Sequence, residues 1–270
     1  MIVSYLIFLF KRGFACSYLN AARSSFSFFS LDKLSLGQNV IICRLFRYFY
    51  LQRPLRQRYV TFWPVYSLLN HLKEWYPIEN LSMKQLTLKC VSLLALTSSD
   101  RGQSIHLTNI NQMHVSDGHI KFVINKRIKT TRRVLKPTIV NCVSEGIPEL
   151  NVAMHIQEYI NKTMQYRDPN DESSMQLFIS WKTFKPVTKQ TIARWLTHSL
   201  RSAGIDTNRF KSHSYRGAGL SAAFAKGVSI DKIVSSGNWT NNQTFHSYYN
   251  APADDSEVGR IILSMHGEWS

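Results

Sequence analysis

The sequence predicts an α+β fold that is mainly α-helical, with a small antiparallel sheet, and that is divided into two domains. Near the amino terminus, apolar residues recur at the helical spacing of three and four positions, at Leu19, Ala22, Phe26 and Phe29. Two later stretches, 119–124 and 134–143, alternate as β-strands on either side of a short basic segment. The 270 residues are 44% hydrophobic, which is enough to form properly packed cores.

The remaining elements follow from local periodicity. Helices are predicted over residues 65–75, 82–98 and 150–166, and from Thr188 onward. The segment MQLFIS, at residues 175–180, is predicted as a short strand. The two predicted domains are residues 1–77 and 78–270, with their boundary near residues 77–80.

The charge of the chain indicates a polyanionic partner. Lysine and arginine number 33 against 17 aspartate and glutamate residues, so the formal net charge is +16. Such an excess favours nucleic-acid binding, with a merely basic soluble protein as the alternative.

Composition also narrows the classes of chemistry. The four cysteines are scattered without paired spacing, so they indicate neither a zinc site nor a disulfide framework, and they favour a reducing compartment. A glycine-rich phosphate loop and the HExxH pattern are both absent, so ATP and metal chemistry have no support. The apolar run over residues 2–10 is too short to span a bilayer and is predicted to be a buried helix.

The most informative stretch runs from His213 to Tyr249. His213 and Arg216 are three positions apart, so a helix would place them on one face. Ser212 is the expected cap of that helix, and Gly227 lies where a left-handed C-terminal residue is expected. A guanidinium and an imidazole directed at one point suit the non-bridging oxygens of a phosphodiester.

Aromatic residues at the end of this stretch supply a possible nucleophile. Phe245, Tyr248 and Tyr249 have the spacing of one helical face. A tyrosine hydroxyl, with a pKa near ~10, needs activation of itself or of the electrophile before it attacks. Taken singly, each of these residues is more often structural, and so is Trp239. Only their order and spacing together favour a phosphate-directed chemistry.

Other basic clusters lie outside the central stretch. Arg101 directly follows the predicted helix 82–98. The tip of the predicted hairpin is crowded with Lys126, Arg127, Lys129, Arg132 and Arg133. Near the amino terminus, Arg56 and Arg58 alternate with tyrosines, as expected of a surface that grips a nucleic-acid backbone. The alternative for Arg101 is an exposed loop arginine. For the hairpin tip it is an edge strand protected by positive charge, and for Arg56 and Arg58 it is a solvated loop.

The order of these residues resembles that of a known family. Residues 210–250 resemble the C-terminal catalytic region of tyrosine recombinases, the phage-integrase superfamily, and are similar to its eukaryotic DIRS-like and Crypton-like retroelement branch. The resembling segments are HSYRGAGLSAA, GVSIDKI, GNW and TFHSYYN. Tyr249 lies 10 positions after Trp239 and matches the nucleophile of that branch, while Tyr248 matches the shorter spacing of other branches.

The resemblance implies a metal-free and nucleotide-free cleavage of DNA. Tyr249 would attack the scissile phosphate and form a 3′-phosphotyrosyl link, and Arg101 and Arg216 would offset the charge on the phosphoryl oxygens. Lys129, in a segment IKTTR that resembles the family's LKTSR, would protonate the leaving 5′-oxygen. His213 would assist proton transfer, and Trp239 would pack against the phosphate.

The resemblance also implies partners and a cellular location. Residues 1–77 would form a helical DNA-clamping domain, expected to be truncated at its start because Met1 falls within what would be an early helix. The sequence departs from the family at two positions where an acidic residue is usual. Pro64 stands at one of them in the first domain, and Ser104 stands at the other, three positions after Arg101. The expected partner is double-stranded DNA, on which the chain is expected to form a homotetramer. A nuclear location is expected, and no association with a membrane.

Two other functions stay open at this point. A type IB topoisomerase-like enzyme would use the same residues to relax a single duplex. A non-catalytic DNA-binding relic of a retroelement recombinase would keep the basic surfaces and lose the chemistry. The expected activity is site-specific recombination or integration of a mobile element.

Overall fold

The chain forms two compact units. The computed structural model describes residues 2–29, 36–54, 61–116, 119–126, 138–142, 144 and 146–237. The units are Met1–Arg58 and Tyr59–Ser270, so the division lies earlier than the boundary predicted near residues 77–80. The reason is that Trp63, Leu68 and Leu72 are buried in the core of the second unit. The amphipathic helix that was predicted in the first domain therefore packs in the second.

The first unit contains three described helices, α1 (Ile2–Lys11), α2 (Cys16–Phe29) and α3 (Val40–Gln52). Its core includes Leu6, Leu9, Leu19, Phe46 and Phe49. The apolar run near the amino terminus is a helix, as predicted, but only one face of it is buried. None of the helices in the described segments has both the length and the apolarity needed to cross a membrane.

The described part of the second unit contains seven α-helices, three short 3₁₀ helices and three strands. The helices are α4 (Val65–Lys73), α5 (Met83–Thr97), α6 (Gly102–Leu107), α7 (Val152–Met164), α8 (Lys189–Ser202), α9 (Ser214–Ala225) and α10 (Ile230–Ser236). The strands are β1 (Met113–Ser116), β2 (His119–Ile124) and β3 (Thr138–Cys142). The helices predicted over 65–75, 82–98 and 150–166 and from Thr188 onward are therefore confirmed, with shorter ends.

Helix α5 is the centre of the second unit, and α7, α8 and α9 pack against it. A capping box between Ser82 and Gln85 begins it. Every residue from Leu86 to Leu96 is buried, as expected of a helix that is apolar nearly all round. The buried Lys89 ammonium donates a hydrogen bond to the Trp75 carbonyl at 2.5 Å, and burial lowers the pKa of Lys89 to about 8.

The sheet is antiparallel, in the order β1-β2-β3. Phe122 pairs with Met113 on one side and with Val140 on the other. Ile120, Phe122 and Ile124 alternate into the core, which confirms the strand predicted over 119–124. Residues 134–137 of the second predicted strand lie outside the described residues, and the strand there begins at Thr138.

Residues 175–180 form no regular strand, contrary to the prediction. The described backbone there makes isolated bridges, Asn109 with Gln176 and Ile179 with Pro186. The Arg167 guanidinium donates hydrogen bonds to two carbonyls of this segment, those of Gln176 at 2.6 Å and Leu177 at 2.8 Å, and to the preceding Ser174 carbonyl at 2.7 Å. An arginine side chain thus satisfies acceptors that a neighbouring strand would otherwise satisfy.

Candidate functional site

Three of the residues predicted to act on phosphate line one cavity in the second unit. Arg101, His213 and Arg216 surround a volume of about 320 Å³. Lys189, the first residue of α8, lines the same cavity. Four cationic or titratable side chains from distant parts of the sequence therefore face one space.

The turn after α5 places Arg101 at the cavity. Arg101 occupies the N-cap position of α6, where its extended backbone breaks the direction of α5. Just before it, Ser99 has φ +57°, a left-handed conformation that is uncommon for a residue with a Cβ atom. The N–H groups of Ser104 and Ile105 donate to the Arg101 carbonyl at 2.8 and 3.2 Å, which holds the turn.

Helix α9 presents His213 and Arg216 from its first turn. His213, rather than Ser212, occupies the N-cap position, and no side-chain hydrogen bond caps the helix. The neighbouring Ser214 is buried, and its hydroxyl accepts a hydrogen bond from the Trp63 indole N–H at 2.8 Å. Tyr215 is also buried and donates to the Leu196 carbonyl at 3.0 Å. The residues between His213 and Arg216 thus anchor both side chains.

The C-terminal end of α9 behaves as the sequence predicts. Gly227 has φ +89°, and its N–H donates to the Phe224 carbonyl at 2.9 Å. The Val228 N–H donates to the Ala223 carbonyl at 3.1 Å, which completes a Schellman motif. The chain therefore reverses after α9 and leads into α10.

Arg216 connects the cavity to the end of α10. Its side chain is 6% exposed, and its Nη2 donates a hydrogen bond to the Gly237 carbonyl. Gly237 is the C-cap residue of α10 and precedes Trp239 by two positions. Arg216 therefore holds the backbone from which the segment with the predicted tyrosine departs.

Small residues let α9 approach its neighbours closely. A Cβ atom at Gly219 would lie 2.6 Å from the Leu96 backbone carbonyl oxygen of α5. A Cβ atom at Gly217 would collide with the Phe62 ring. Gly219 therefore sets the distance between α9 and α5, the helix that leads to Arg101, and Gly217 sets the distance between α9 and Phe62.

Gly219→Ala is expected to destabilise the protein. Overpacking costs about 1–3 kcal/mol, partly offset by about 1 kcal/mol of helix propensity, so a net loss is expected in chemical denaturation. The matched control is Gly102→Ala at the start of α6, where a Cβ atom would meet nothing within 4 Å. Gly102→Ala is expected to cause no such loss, and the close-packing explanation fails if Gly219→Ala leaves the free energy of unfolding unchanged or raises it.

A carboxyl group, Asp100, shares the cavity with these cations. Burial raises its pKa to about 6, and a hydrogen bond from Ser104 and the charges of Arg216 and Arg101 act in the opposite direction. On α6, burial and the charge of Lys189 lower the pKa of His106. The raised pKa of Asp100 therefore reflects partial desolvation in this cavity, which His106 does not line.

The chemistry that suits this space is the binding of a phosphodiester. Two guanidiniums offer planar pairs of N–H donors to non-bridging oxygens, and a lysine and a histidine add charge and a proton-transfer group. In the described part of the chain, no group of three or more histidine, cysteine, aspartate or glutamate residues could hold a metal ion.

Several predicted residues lie outside the described residues. They are Lys129, Trp239, Tyr248 and Tyr249 among the catalytic candidates, and Arg56, Arg58, Arg127, Arg132 and Arg133 among the DNA-binding candidates. Lys126 is described and exposed, and its ammonium lies 3.5 Å from a Glu172 carboxylate oxygen. It lines a different cavity, of about 620 Å³, and its predicted contact with DNA stays a prediction.

The structure adds an acidic residue to the cavity and a groove beside it. Asp100 enters the site although the sequence placed no role on it, and its adjacency to Arg101 was the available signal. Beside the cavity, the exposed face of α8 forms a polar groove lined by Gln190, Arg194, Thr197, His198, Arg201 and Ser212. Lys189 and Arg194, which have the charge to contact phosphates, lie at the cavity and in this groove respectively.

Solved structures of low sequence identity share the fold. The Tn1549 transposon integrase in complex with transposon right end DNA has a TM-score of 0.61 at 10% identity, covering 97% of this chain and 84% of that one. The XerA recombinase has a TM-score of 0.52 at 15% identity, covering 98% and 90%. The XerH site-specific recombinase bound to palindromic difH substrate, in a post-cleavage complex, has a TM-score of 0.55 at 12% identity, covering 74% of this chain.

The matches differ in extent. This chain spans about half, 51%, of the length of the XerH chain. No curated protein matches the sequence.

The sequence profile described as "Phage integrase family" matches residues 60–255, which is more than half of the chain and includes the cavity residues. The chain therefore belongs to the phage integrase family, whose members are tyrosine recombinases.

Proposed function

We propose that this protein cleaves and rejoins DNA strands through a 3′-phosphotyrosyl intermediate, in site-specific recombination or integration of a mobile element. The observation that carries the proposal is the convergence of Arg101, His213 and Arg216 on one cavity. Arg101 and His213 are 112 positions apart in the sequence, so only the fold brings them together. Family membership supports the same conclusion.

In this proposal, the cavity binds the scissile phosphate. The guanidiniums of Arg101 and Arg216 stabilise the negative charge that builds on the two non-bridging oxygens as the attacking oxygen approaches. Such donors are most effective in a partly buried site, where water does not screen them. Arg216 is 6% exposed and meets that condition.

The bond changes balance without a cofactor. The Tyr249 hydroxyl gives its proton to His213 as its oxygen attacks phosphorus, the bond from phosphorus to the 5′-oxygen breaks, and that oxygen takes a proton from Lys129. His213 assists proton transfer, and Trp239 packs against the phosphate and donates its indole N–H. Rejoining is the reverse reaction with a 5′-hydroxyl as the attacking group, and the phosphotyrosyl bond conserves the energy of the broken linkage.

Double-stranded DNA is the proposed partner. The net charge of +16 supports it, and so do similar structures whose proteins are bound to DNA, including a λ integrase dimer on a COC′ core site with a TM-score of 0.50. In this proposal the helical unit Met1–Arg58 clamps the DNA, and the protein acts as a homotetramer. The DNA-binding candidates are Arg56, Arg58, Lys126, Arg127, Arg132 and Arg133.

The biological setting that we propose rests on the sequence pattern. The spacing from Trp239 to Tyr249 and the segment TFHSYYN are similar to DIRS-like and Crypton-like retroelement recombinases. By this similarity, the protein is encoded by a mobile element of a eukaryotic genome and acts in the nucleus. The transposon named for one structural neighbour supports the mobile element, without regard to the kind of genome.

DNA affinity is expected to depend strongly on salt. A protein that neutralises about six to ten phosphates loses on the order of 10³- to 10⁵-fold in affinity between about 50 and 200 mM salt. Lys126→Gln is expected to reduce the slope of log affinity against log salt by about 1 if Lys126 contacts phosphate. Fluorescence anisotropy with a short duplex measures the slope, and a slope unchanged by Lys126→Gln assigns this lysine to its ion pair with Glu172.

The decisive experiment traps the intermediate. A suicide duplex, nicked near the cleavage site so that the leaving strand diffuses away, is incubated with the protein, and covalent adducts are resolved by denaturing electrophoresis. An adduct attached through a tyrosine, as mapped by mass spectrometry, supports the proposal. DNA binding without an adduct supports the non-catalytic relic instead. Relaxation of supercoiled plasmid without recombination of two sites supports a topoisomerase-like enzyme.

A further inference from the structure

A groove beside the cavity follows the exposed face of α8. It has a volume of about 440 Å³, and none of the described residues that line it is acidic. Its lining consists of Gln190, Ala193, Arg194, Thr197, His198, Arg201 and Ser212. The residues from α8 recur at the helical spacing of three and four positions, so one face of the helix is polar and basic.

The groove is continuous with the cavity that contains the candidate phosphate ligands. Ala193 and Ser212 line both spaces. Ser212 directly precedes His213 in the chain, and His213 lines the cavity. A DNA strand that has one phosphate in the cavity therefore has the groove next to it.

Neutral hydroxyl groups orient the two arginines of the groove, and both arginines are exposed. Arg194 donates a hydrogen bond from Nη2 to the Thr191 hydroxyl at 3.0 Å, and Arg201 donates from Nε to the Thr207 hydroxyl at 3.4 Å. The ion pairs that join described residues include neither arginine. Because a guanidinium has five N–H donors, each arginine keeps donors and an uncompensated charge for an external anion.

The histidine of the groove is neutral at neutral pH. Burial lowers the pKa of His198, and the charges of Lys84 and Arg201 lower it further. The imidazole can therefore donate or accept a hydrogen bond without adding charge. The positive charge of the described groove lining resides on Arg194 and Arg201.

The shape of the groove favours phosphates over the edges of bases. A helix that reads bases has to protrude into the major groove of the duplex. The α8 face, together with Ser212 from outside the helix, lines a concave space instead. A concave and positively charged surface suits the phosphate backbone of a strand, and guanidiniums form strong hydrogen bonds with phosphate oxygens.

We propose that this groove binds the sugar–phosphate backbone of DNA beside the scissile phosphate, with Arg194 and Arg201 as ligands of flanking phosphates. The inference rests on the proposed function, because that function places the scissile phosphate in the adjoining cavity. Phosphate contacts fix the position of the protein on the duplex and carry no sequence information. The groove therefore contributes to DNA affinity and not to the bond changes.

The first test measures DNA affinity against salt concentration for Arg194→Gln, Arg201→Gln and the double variant, in the full chain. Fluorescence anisotropy is recorded with two short duplexes of unrelated sequence. Each substitution is expected to reduce the slope of log affinity against log salt by about 1, and the double substitution by about 2. The loss is expected to be equal on both duplexes. Unchanged slopes overturn the inference, and so does a loss on only one duplex, which would indicate base reading.

Arg209→Gln is the matched control. Arg209 is also exposed and donates a hydrogen bond to a threonine hydroxyl, that of Thr61, at 3.2 Å, but it lines neither the groove nor the cavity. Its salt slope is expected to equal that of the unsubstituted protein. An equal reduction in Arg209→Gln and Arg194→Gln would mean that positive charge acts alike over the whole surface, and this result overturns the inference.

The second test locates the contacts relative to the cleavage site. In the suicide duplex, a neutral methylphosphonate replaces one phosphate at a time on either side of the scissile phosphate. At one of these positions, it is expected to weaken binding by the unsubstituted protein and by Arg209→Gln, and to have no further effect in Arg194→Gln. If every methylphosphonate weakens binding by Arg194→Gln as much as binding by the unsubstituted protein, the inference is overturned.

Single-turnover cleavage separates failure of this inference from failure of the proposed reaction. At saturating protein, both groove variants are expected to form the adduct within a few-fold of the normal rate, because neither arginine lies at the reacting atoms. Reduced salt slopes without any adduct support the groove as a phosphate site and refute the proposed reaction. Adduct formation with unchanged slopes supports the reaction and overturns the role of the groove.

Discussion

Replacing Tyr249 by phenylalanine is expected to abolish the covalent protein–DNA adduct while leaving DNA binding intact. Phenylalanine keeps the ring and removes only the hydroxyl, which in the proposed reaction becomes the ester oxygen bonded to phosphorus. Loss of a nucleophile lowers a reaction rate on the order of 10⁴-fold or more, so no adduct is expected in a trapping assay. Binding to the same duplex, measured by gel shift, is expected to be unchanged because the charge is unchanged.

Tyr248→Phe is the matched control for this prediction. It removes the same hydroxyl one position earlier, and the adduct is expected to form at close to the normal rate. The opposite pattern, with the adduct lost in Tyr248→Phe and kept in Tyr249→Phe, would assign the nucleophile to Tyr248. An adduct that survives both substitutions would refute a mechanism based on either tyrosine.

Arg101→Lys is expected to lower the rate of single-turnover cleavage on the order of 10²- to 10³-fold. Lysine keeps the charge and loses the planar pair of N–H donors, so it cannot bind two phosphoryl oxygens in the same way. Removal of one donor that stabilises a developing oxyanion has an effect of this size in other enzymes. Because Arg101 is partly exposed and lies at the end of a helix, the free energy of unfolding is expected to change little.

Arg209→Lys supplies the control for Arg101→Lys. Arg209 is exposed, donates a hydrogen bond to the Thr61 hydroxyl at 3.2 Å and does not line the cavity. Its replacement is expected to leave cleavage within a few-fold of normal. Equal losses in the two variants would mean that general positive charge, rather than the geometry of the cavity, supports the reaction.

Elements with a strong local period could be predicted from the sequence. Strand β2 matches its predicted range because its apolar residues alternate, and α5 matches closely because its apolar run is too long for a strand. Thr188 was predicted to begin α8, and its hydroxyl does accept a hydrogen bond from the Thr191 N–H. Such signals depend on residues within a few positions of one another, so a linear pattern contains them.

Long-range contacts account for the differences between prediction and structure. The structure divides the chain after Arg58, before the predicted boundary, because Trp63, Leu68 and Leu72 place α4 and the segment before it in the second core. Residues 175–180 were predicted to form a strand, but the guanidinium of Arg167 satisfies the carbonyls of Gln176 and Leu177. Neither effect is visible in the local periodicity of the segments concerned.

The sequence by itself determined the helical and strand periods, the basic charge and the order of histidine, arginine, tryptophan and tyrosine that indicates the family. Those properties reside in residue types and short spacings. Only the tertiary structure decided that Asp100 and Arg101 share a cavity with Lys189, His213 and Arg216. Side chains as many as 116 positions apart meet there because α8 and α9 both pack against α5. The contact between α9 and α5 depends on their close approach at Gly219.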